Sequence, residues 1–548
     1  MAPKVPQENT YDVVVVGTGA AGFATAMGAV DEGLSVLMVE STDKWGGSTA
    51  MSGGGMWLPN NPLMTRAGVG DSRAEALTYM EASIGDDVGL ASTRARKEAF
   101  VDGVDDFVLT AEKFGVTFAR ATDYPDYYPE LPGGKIGRSI EVKPLSSKIL
   151  GPWWDTLRNA LPLPAMTNDV WLLGRSWSTP SGMVRGVQVV SRVLGGVVTG
   201  RRLVGIGNAW ATAFCHAVVV RKGVPLWLSS PLEELLVDDG RVVGIRVRRD
   251  GQPMTVRATR GVMLAGGGFE GNKDWRQKYH GIDGAPSGNP GNLGVPIAAA
   301  QELGVAVELM DEAWWGASIA APPGGGPMFI VGERSMPYSI MVDARGDRFA
   351  NESESYVDLG HHMLAQDGGA GPYWLILEAR HVRRYFRTFA MDPRAVKAMR
   401  AAGIEVRART LDELSRAIEV EPARLRATVA RFNGFARSGV DGDHGRGNSA
   451  YDRYYGDPTV HPNPNLGPIE KGPFVAYRVV LGDLGTKGGV VTDPDGRALR
   501  EDGTVVPGLY SAGNSSASVM GRTYPGPGST IGPAAVFGLR AARHMAKG

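Results

Sequence analysis

The chain opens on an apolar run, Val13–Val16, with Tyr11 and Asp12 before it. β-Branched residues with no polar alternation predict a strand buried on both faces, the pattern of a parallel sheet. A small-residue segment from Ala20 to about Gly33 predicts a helix, and Ser35–Val39 predicts a second strand that ends at Glu40. Together these form a βαβ unit. A glycine-rich loop and then a helix follow, to about Gly89, and Thr122–Arg138 reads as an ordered loop rich in Tyr, Pro and Gly. Met183–Arg221 reads as largely helical, and Leu226–Val247 as two strand-like segments around the turn Asp238-Asp239-Gly240. Gly261–Ala265 is a further buried strand, Gly439–Pro464 is polar and loop-like, and Gly532–Met545 is a final helix. From about Leu303 the pattern changes, with Trp314, Trp315, Pro322, Pro323 and Gly324–Gly326 marking a different kind of surface. The expected fold class is α/β: a Rossmann-like domain in two parts, 1–304 and 476–548, with an α+β domain inserted at 305–475.

Composition narrows the class. A chain of 548 residues, 43% hydrophobic and 21% charged, buries a large core in more than one lobe. Lys plus Arg (58) balances Asp plus Glu (58), so no net field favours nucleic acid. The single cysteine, Cys215, excludes a disulfide framework and a multi-cysteine metal site, and its apolar surroundings predict a buried, inert thiol. No metal is expected. Met1–Thr10 lacks the apolar core of a signal peptide, and Arg185, Arg192, Arg201 and Arg202 interrupt the longest apolar region, so no membrane span is expected. A reducing, cytoplasmic setting fits best.

The 76 glycines are clustered, which points to backbone packed against something other than side chains. The first cluster, Gly17-Thr18-Gly19-Ala20-Ala21-Gly22, lies between the first strand and its helix, and Glu40, with Ser41 beside it, stands 18 positions beyond Gly22. That context makes it a dinucleotide site: Gly17 for the tight turn, Gly19 for the approach of a pyrophosphate, Gly22 for helix–strand packing and Glu40 for a ribose. The helix N-terminus stabilises the phosphate charge. Three further clusters favour FAD over NAD. One contains Gly47, Ser48 and Thr49 and then Ser52, Gly53 and Gly54; the second is Ala265-Gly266; the third is Gly513-Asn514, followed by a helix start near Ser529 and Ile531. Their backbone N–H groups suit a pyrophosphate and the edge of a flavin, and a helix N-terminus stabilises charge on the reduced ring.

These clusters, with Ala265–Gly268 and Ala512-Gly513-Asn514, resemble the fumarate reductase/succinate dehydrogenase flavoprotein superfamily. Within it, Tyr124–Gly134, Arg348–Tyr356 and Tyr524–Gly532 are similar to the 3-ketosteroid Δ1-dehydrogenases, over nearly the whole chain. The resemblance implies non-covalent FAD, a 3-ketosteroid substrate covered by the inserted domain, and an external electron acceptor. It also implies residue roles. Tyr524 and the N–H of Gly528 would grip the ketone at carbon 3, Tyr356 would take a proton from carbon 2, and Tyr127 would support Tyr356. Tyr124 and Tyr128 compete with Tyr127, and Tyr338 competes with Tyr356. A free phenol has a pKa of about 10, so an alkaline optimum is expected.

Two rival readings share the fold. A Δ4-(5α)-dehydrogenase of ketosteroids would keep the flavin and a carbonyl-binding tyrosine. A fumarate or enoate reductase would need paired Arg and His to hold carboxylates, and the cluster Arg380, Arg383, Arg384 and Arg387 lacks the glycine-rich neighbours expected for that task. A non-catalytic electron-transfer flavoprotein would need no carbonyl-binding turn. Trp314 and Trp315 read as core or wall, and Arg348 as structural. Loose association with a membrane surface suits a flat, apolar substrate.

Overall fold

The computed structural model describes residues 9–85 and 89–548; the N-terminal stretch discussed above lies, up to residue 8, outside the described residues. The predicted βαβ unit is present as a strand Asn9–Val16, a helix Ala20–Asp31 and a strand Val36–Val39. Val13–Val16 pair in parallel with Val36–Val39 on one side and with Gly261–Leu264 on the other. With neighbours on both sides and helices above and below, all four valines are buried, which accounts for the missing polar alternation.

Among the described residues this first sheet has eight strands. Its spine runs from Arg497–Leu499 through Val505–Ser511, Gln252–Leu264, Asn9–Val16 and Val36–Val39 to Leu226–Trp227. Gln252–Leu264 is longer than the buried segment the sequence marks. Its first half alternates between exposed and buried because it pairs with the hairpin strand Arg241–Arg249. The hairpin turns at Asp239 and Gly240, both with positive φ, as a tight turn requires. The last helix, Ile531–Lys547, returns to pack against the first: Thr25 Oγ1 donates to Gly538 O at 3.1 Å, and a Cβ at Gly28 would come within 2.7 Å of Leu539. Both chain ends therefore build the same domain core.

A second sheet of seven strands is drawn from residues between 285 and 486. The long strand Phe474–Thr486 lies at its centre, bordered by Ala313–Ile319 and Tyr373–Leu377. Its two faces pack separate apolar clusters, one around Trp315 and Tyr373 and one around Phe432 and Trp374.

Met183–Arg221 is largely helical, in two pieces: Pro180–Val198 ends before Gly200, which has φ of +62°, Leu203–Val204 forms a short strand with Leu145–Ser146, and Ile206–Cys215 starts a new helix. One local reading needs correction: the polar stretch 439–464 is not all loop. Ala450–Tyr454 is helical, and Tyr451, Tyr454 and Tyr455 are buried despite their polar flanks. Cys215 is fully buried and its thiol is pushed up by burial, an inert group as read. Arg348 is held in ion pairs with Glu352 at 2.7 Å and Asp441 at 2.9 Å.

Candidate active site

The first strand hands the chain to its helix through Gly17, whose φ is +112° and whose hypothetical Cβ would stand 2.2 Å from Ala265 O. No other residue fits there. The turn uncovers the helix N-terminus at Gly19, where no side chain caps the backbone, although Thr49 Oγ1 accepts from Ala20 N at 3.0 Å. A Cβ on Gly19 would meet no protein atom closer than 3.5 Å, so the space over the helix start is kept open on the ligand side.

From this start a cavity of about 590 Å³ runs between the two sheets. Glu40 closes one end. Its carboxylate accepts from Thr18 Oγ1 at 2.5 Å and from Thr42 N and Oγ1, each at 3.1 Å, and is thereby fixed with its edge toward the cavity. Gly47, Ser48, Thr49 and Ser52–Gly54 form one wall, and Ala265-Gly266 and Gly513-Asn514 another. Ile531 brings the N-terminus of the last helix to the same space. Among the described residues Glu40 is the one charged side chain in the lining; no Arg, Lys or His reaches it.

Tyr127, Tyr356, Tyr524 and Gly528 stand at the other end of the cavity. The three phenol rings are buried and mutually packed, with centroids 4.8 Å apart for Tyr356 and Tyr524, 5.1 Å for Tyr127 and Tyr524, and 5.6 Å for Tyr127 and Tyr356. Gly528 N donates to Tyr524 Oη at 3.3 Å, as does Thr530 Oγ1 at 3.3 Å. The glycine is obligatory: its φ is +96°, and a Cβ would lie 2.3 Å from Gly55 O. Tyr356 is the first residue of the helix Tyr356–Asp367, a position where the helix dipole favours an anion. Burial, followed by the neighbouring Tyr524, pushes its phenol well above the ordinary value of 10.0, and a hydrogen bond with Tyr127 acts the other way. Burial likewise raises Tyr524, so it remains a protonated donor.

Gly22, read as the packing glycine of the motif, and Ser529 lie off the cavity lining. Gly22 packs the helix onto the strand, with its hypothetical Cβ 2.2 Å from Gly17 O, and Ser529 closes its own turn by donating to Gly526 O at 2.7 Å. The competition among the tyrosines also narrows. Tyr128 donates to Asp358 at 3.0 Å outside the cavity, and Tyr338 lies under Arg380 at 4.3 Å, also outside it. Tyr124 lines the cavity with its Oη 3.4 Å from that of Tyr127, and it also bonds Tyr455. The arginine cluster is engaged elsewhere: Arg380 with Glu378 at 2.6 Å and Arg384 with Asp457 at 2.8 Å.

Other lining residues carried no motif. Asn289 and Asn292 border the cavity, and Ser48 Oγ accepts from Asn289 N and Asn292 Nδ2, each at 3.2 Å. Behind them Asn292 also donates to Glu270 at 2.7 Å, a carboxyl pushed up to about 7 by burial and by Asp483 nearby. The available signal was the Gly/Asn/Pro density of Gly284–Gly294. Tyr451, with its ring centroid 4.4 Å from that of Tyr127, was hidden in a segment read as loop.

The glycine cradle, the open helix start and the fixed carboxylate fit an FAD pyrophosphate and ribose, and a family of FAD binding domains matches residues 12–531. The chain belongs to this flavoprotein family. Its cofactor is FAD. It is 44% identical to the 3-oxosteroid 1-dehydrogenase of Mycolicibacterium smegmatis, over 98% of this chain and 97% of that one. It is 35% identical to the 4-oxocyclohex-2-ene-1-carboxylate 5-dehydrogenase of Sinomonas cyclohexanicum, over 100% and 96%. Among solved structures it is similar to the 3-ketosteroid Δ1-dehydrogenase of Sterolibacterium denitrificans in complex with 1,4-androstadiene-3,17-dione. There the TM-score is 0.91 and the identity 38%, over 98% of this chain and 100% of that one.

Proposed function

We propose that this flavoprotein is an FAD-dependent 3-ketosteroid Δ1-dehydrogenase. The observation that carries the mechanism is the convergence of Tyr524 Oη and Gly528 N–H, 3.3 Å apart, in the cavity whose far end suits FAD. A ketone oxygen placed between them would accept two hydrogen bonds, which acidifies the adjacent carbon 2. Tyr356, ionised at the start of its helix, would take the proton from carbon 2, with the Tyr127 phenol donating to it. When bound, FAD supplies the acceptor for the hydride that leaves carbon 1. Gly17, Gly19, Glu40 and Ser48 would hold the cofactor's pyrophosphate and ribose side, and Asn514 and the helix start at Ile531 its ring side. Residues 305–475 would serve as the inserted cap, since Tyr356 lies in that segment.

The cavity lining favours a steroid over the smaller acids. Arg or Lys commonly grips a substrate carboxylate, and among the described residues none lines this cavity. The same absence counts against a fumarate reductase. The test is to purify the protein and assay it with androst-4-ene-3,17-dione and a dye acceptor. A yellow protein that forms the 1,4-diene is expected. A colourless protein, or turnover of 4-oxocyclohexanecarboxylate in place of the steroid, would sink the reading.

We further infer a loose seat on a lipid surface. No helix in the described chain is long and apolar enough to cross a membrane. Yet the helix Pro180–Val198 turns Met183, Val184, Val187, Val190, Leu194 and Val197 outward at helical spacing, with Val187 66% exposed and Val198 85%. Its other side is tied down by Arg185 and Arg192 on Asp169, at 2.9 and 2.5 Å. Exposed Lys148, Arg201 and Arg202 stand near its C-terminal end, a charge that suits anionic headgroups. The protein should sediment with vesicles containing anionic phospholipid, and Val187→Asp with Leu194→Asp should abolish this at unchanged activity on dissolved steroid. Equal sedimentation of the double variant would refute the seat. The buried lone Cys215 supports a cytoplasmic location.

A further inference from the structure

Two lysines are buried among the described residues, and they are treated differently. Lys97 has its carboxylate partner, Glu81, at 3.2 Å. Lys487, fully buried on the strand side of the Tyr524 loop, has no such ion pair. Its Nζ donates to Thr523 O at 2.9 Å and lies 4.6 Å from the centre of the Trp314 ring. The acids nearest to it are already engaged. Glu312 is bonded by Arg522 at 2.8 Å and by His361 at 3.1 Å, and Asp358 takes the Tyr128 hydroxyl at 3.0 Å. A buried ammonium is costly unless it is paired, and a neutral donor would anchor Thr523 O without that cost.

Both contacts of Lys487 lead to the candidate ketone site. Thr523 immediately precedes Tyr524. The Trp314 ring meets the Tyr524 ring edge-on, with centroids 5.2 Å apart, and Trp314 Nε1 donates to Asn514 Oδ1 at 3.3 Å in the cavity wall. Lys487 is therefore linked to Tyr524 through the backbone of Thr523 and the ring of Trp314, and in low-dielectric surroundings a charge acts over such a separation.

We propose that Lys487 is a positioning residue for the Tyr524–Gly528 pair, kept for its positive charge, which favours the enolate oxygen over the neutral ketone. The inference rests on the dehydrogenase reading above. Burial pushes Lys487 down to about 8, so its charge is lost within an alkaline profile. The charged groups that act on it are Glu312, Asp358 and Arg522, with His361 bonded to the far side of the network at Glu312.

Lys487→Gln, which keeps a donor for Thr523 O, and Lys487→Met, which removes it, are compared with wild type on androst-4-ene-3,17-dione from pH 6 to 11. Both variants should lose about tenfold or more in kcat with KM little changed and flavin absorbance intact, a smaller effect than loss of a direct donor. The wild-type rate should rise from neutral and level off above about pH 8, where the charge of Lys487 is lost, whereas the Gln variant should keep rising through that range. Wild type forming 1,4-diene alongside a Gln variant of unchanged rate and unchanged profile overturns this proposal alone. So does loss of bound flavin in both variants, which would assign Lys487 to the frame. A wild type without 1,4-diene overturns the functional reading and this one with it.

Discussion

Tyr356→Phe should lower turnover on a 3-ketosteroid by about 10² to 10⁴-fold, the usual contribution of a positioned general base. The flavin spectrum should be unchanged, because the ring stays and its packing against Tyr524, Tyr127 and Phe329 survives. The sign of the pH dependence follows from the same residue. As the proposed base it would act as a phenolate, and burial holds the phenol well above its ordinary range, so the wild-type rate should climb as pH rises from neutral. In the Phe variant that climb should disappear. A variant that keeps near-normal turnover and the same rise would remove Tyr356 from the mechanism. Tyr338 would not inherit the role, since it stacks under Arg380 outside the cavity.

Tyr524→Phe should cost about 10² to 10³-fold in kcat, or about 3–4 kcal/mol of barrier, because it deletes one of two donors at the ketone. The loss should extend to binding, because the ketone would keep only the Gly528 N–H of its two hydrogen bonds. Stopped-flow reduction of the bound flavin by substrate isolates the step. An unchanged reduction rate would mean that the ketone is not held by this hydroxyl.

The cofactor half was readable because its signals are local. Gly17, Gly19 and Glu40 are tied to a strand, a turn and a second strand within about thirty residues, where spacing alone specifies geometry. Gly22, in the same motif, packs the helix on the strand as its position there requires. Ser529 shows the limit of that logic, since it sits in a contact-rich turn but bonds within it. The tyrosine end was readable only through resemblance. Tyr127, Tyr356 and Tyr524 are brought together by elements hundreds of positions apart, and no periodicity links them. Tyr451, Tyr454 and Tyr455 were missed for a related reason: a five-residue helix among Asp, Arg, Gly and Asn carries no hydrophobic pattern, and its burial depends wholly on what packs over it. Lys487 likewise looks like any polar residue in a glycine-rich stretch until Trp314 and Thr523 are seen around it.

The packing of the last helix on the first has a consequence for how the protein is made. A ribosome that has released Asn9–Val16 and its helix must still add some five hundred residues before Gly538 can dock on Thr25. At about 5–20 residues per second that is roughly half a minute to two minutes. Through that interval the nucleotide-binding turn exists without its covering helix, and the nascent chain has no finished place for a flavin. Loading of the coenzyme is therefore expected only after Ile531–Lys547 has been added, and a chain cut short before Gly538 should purify without colour.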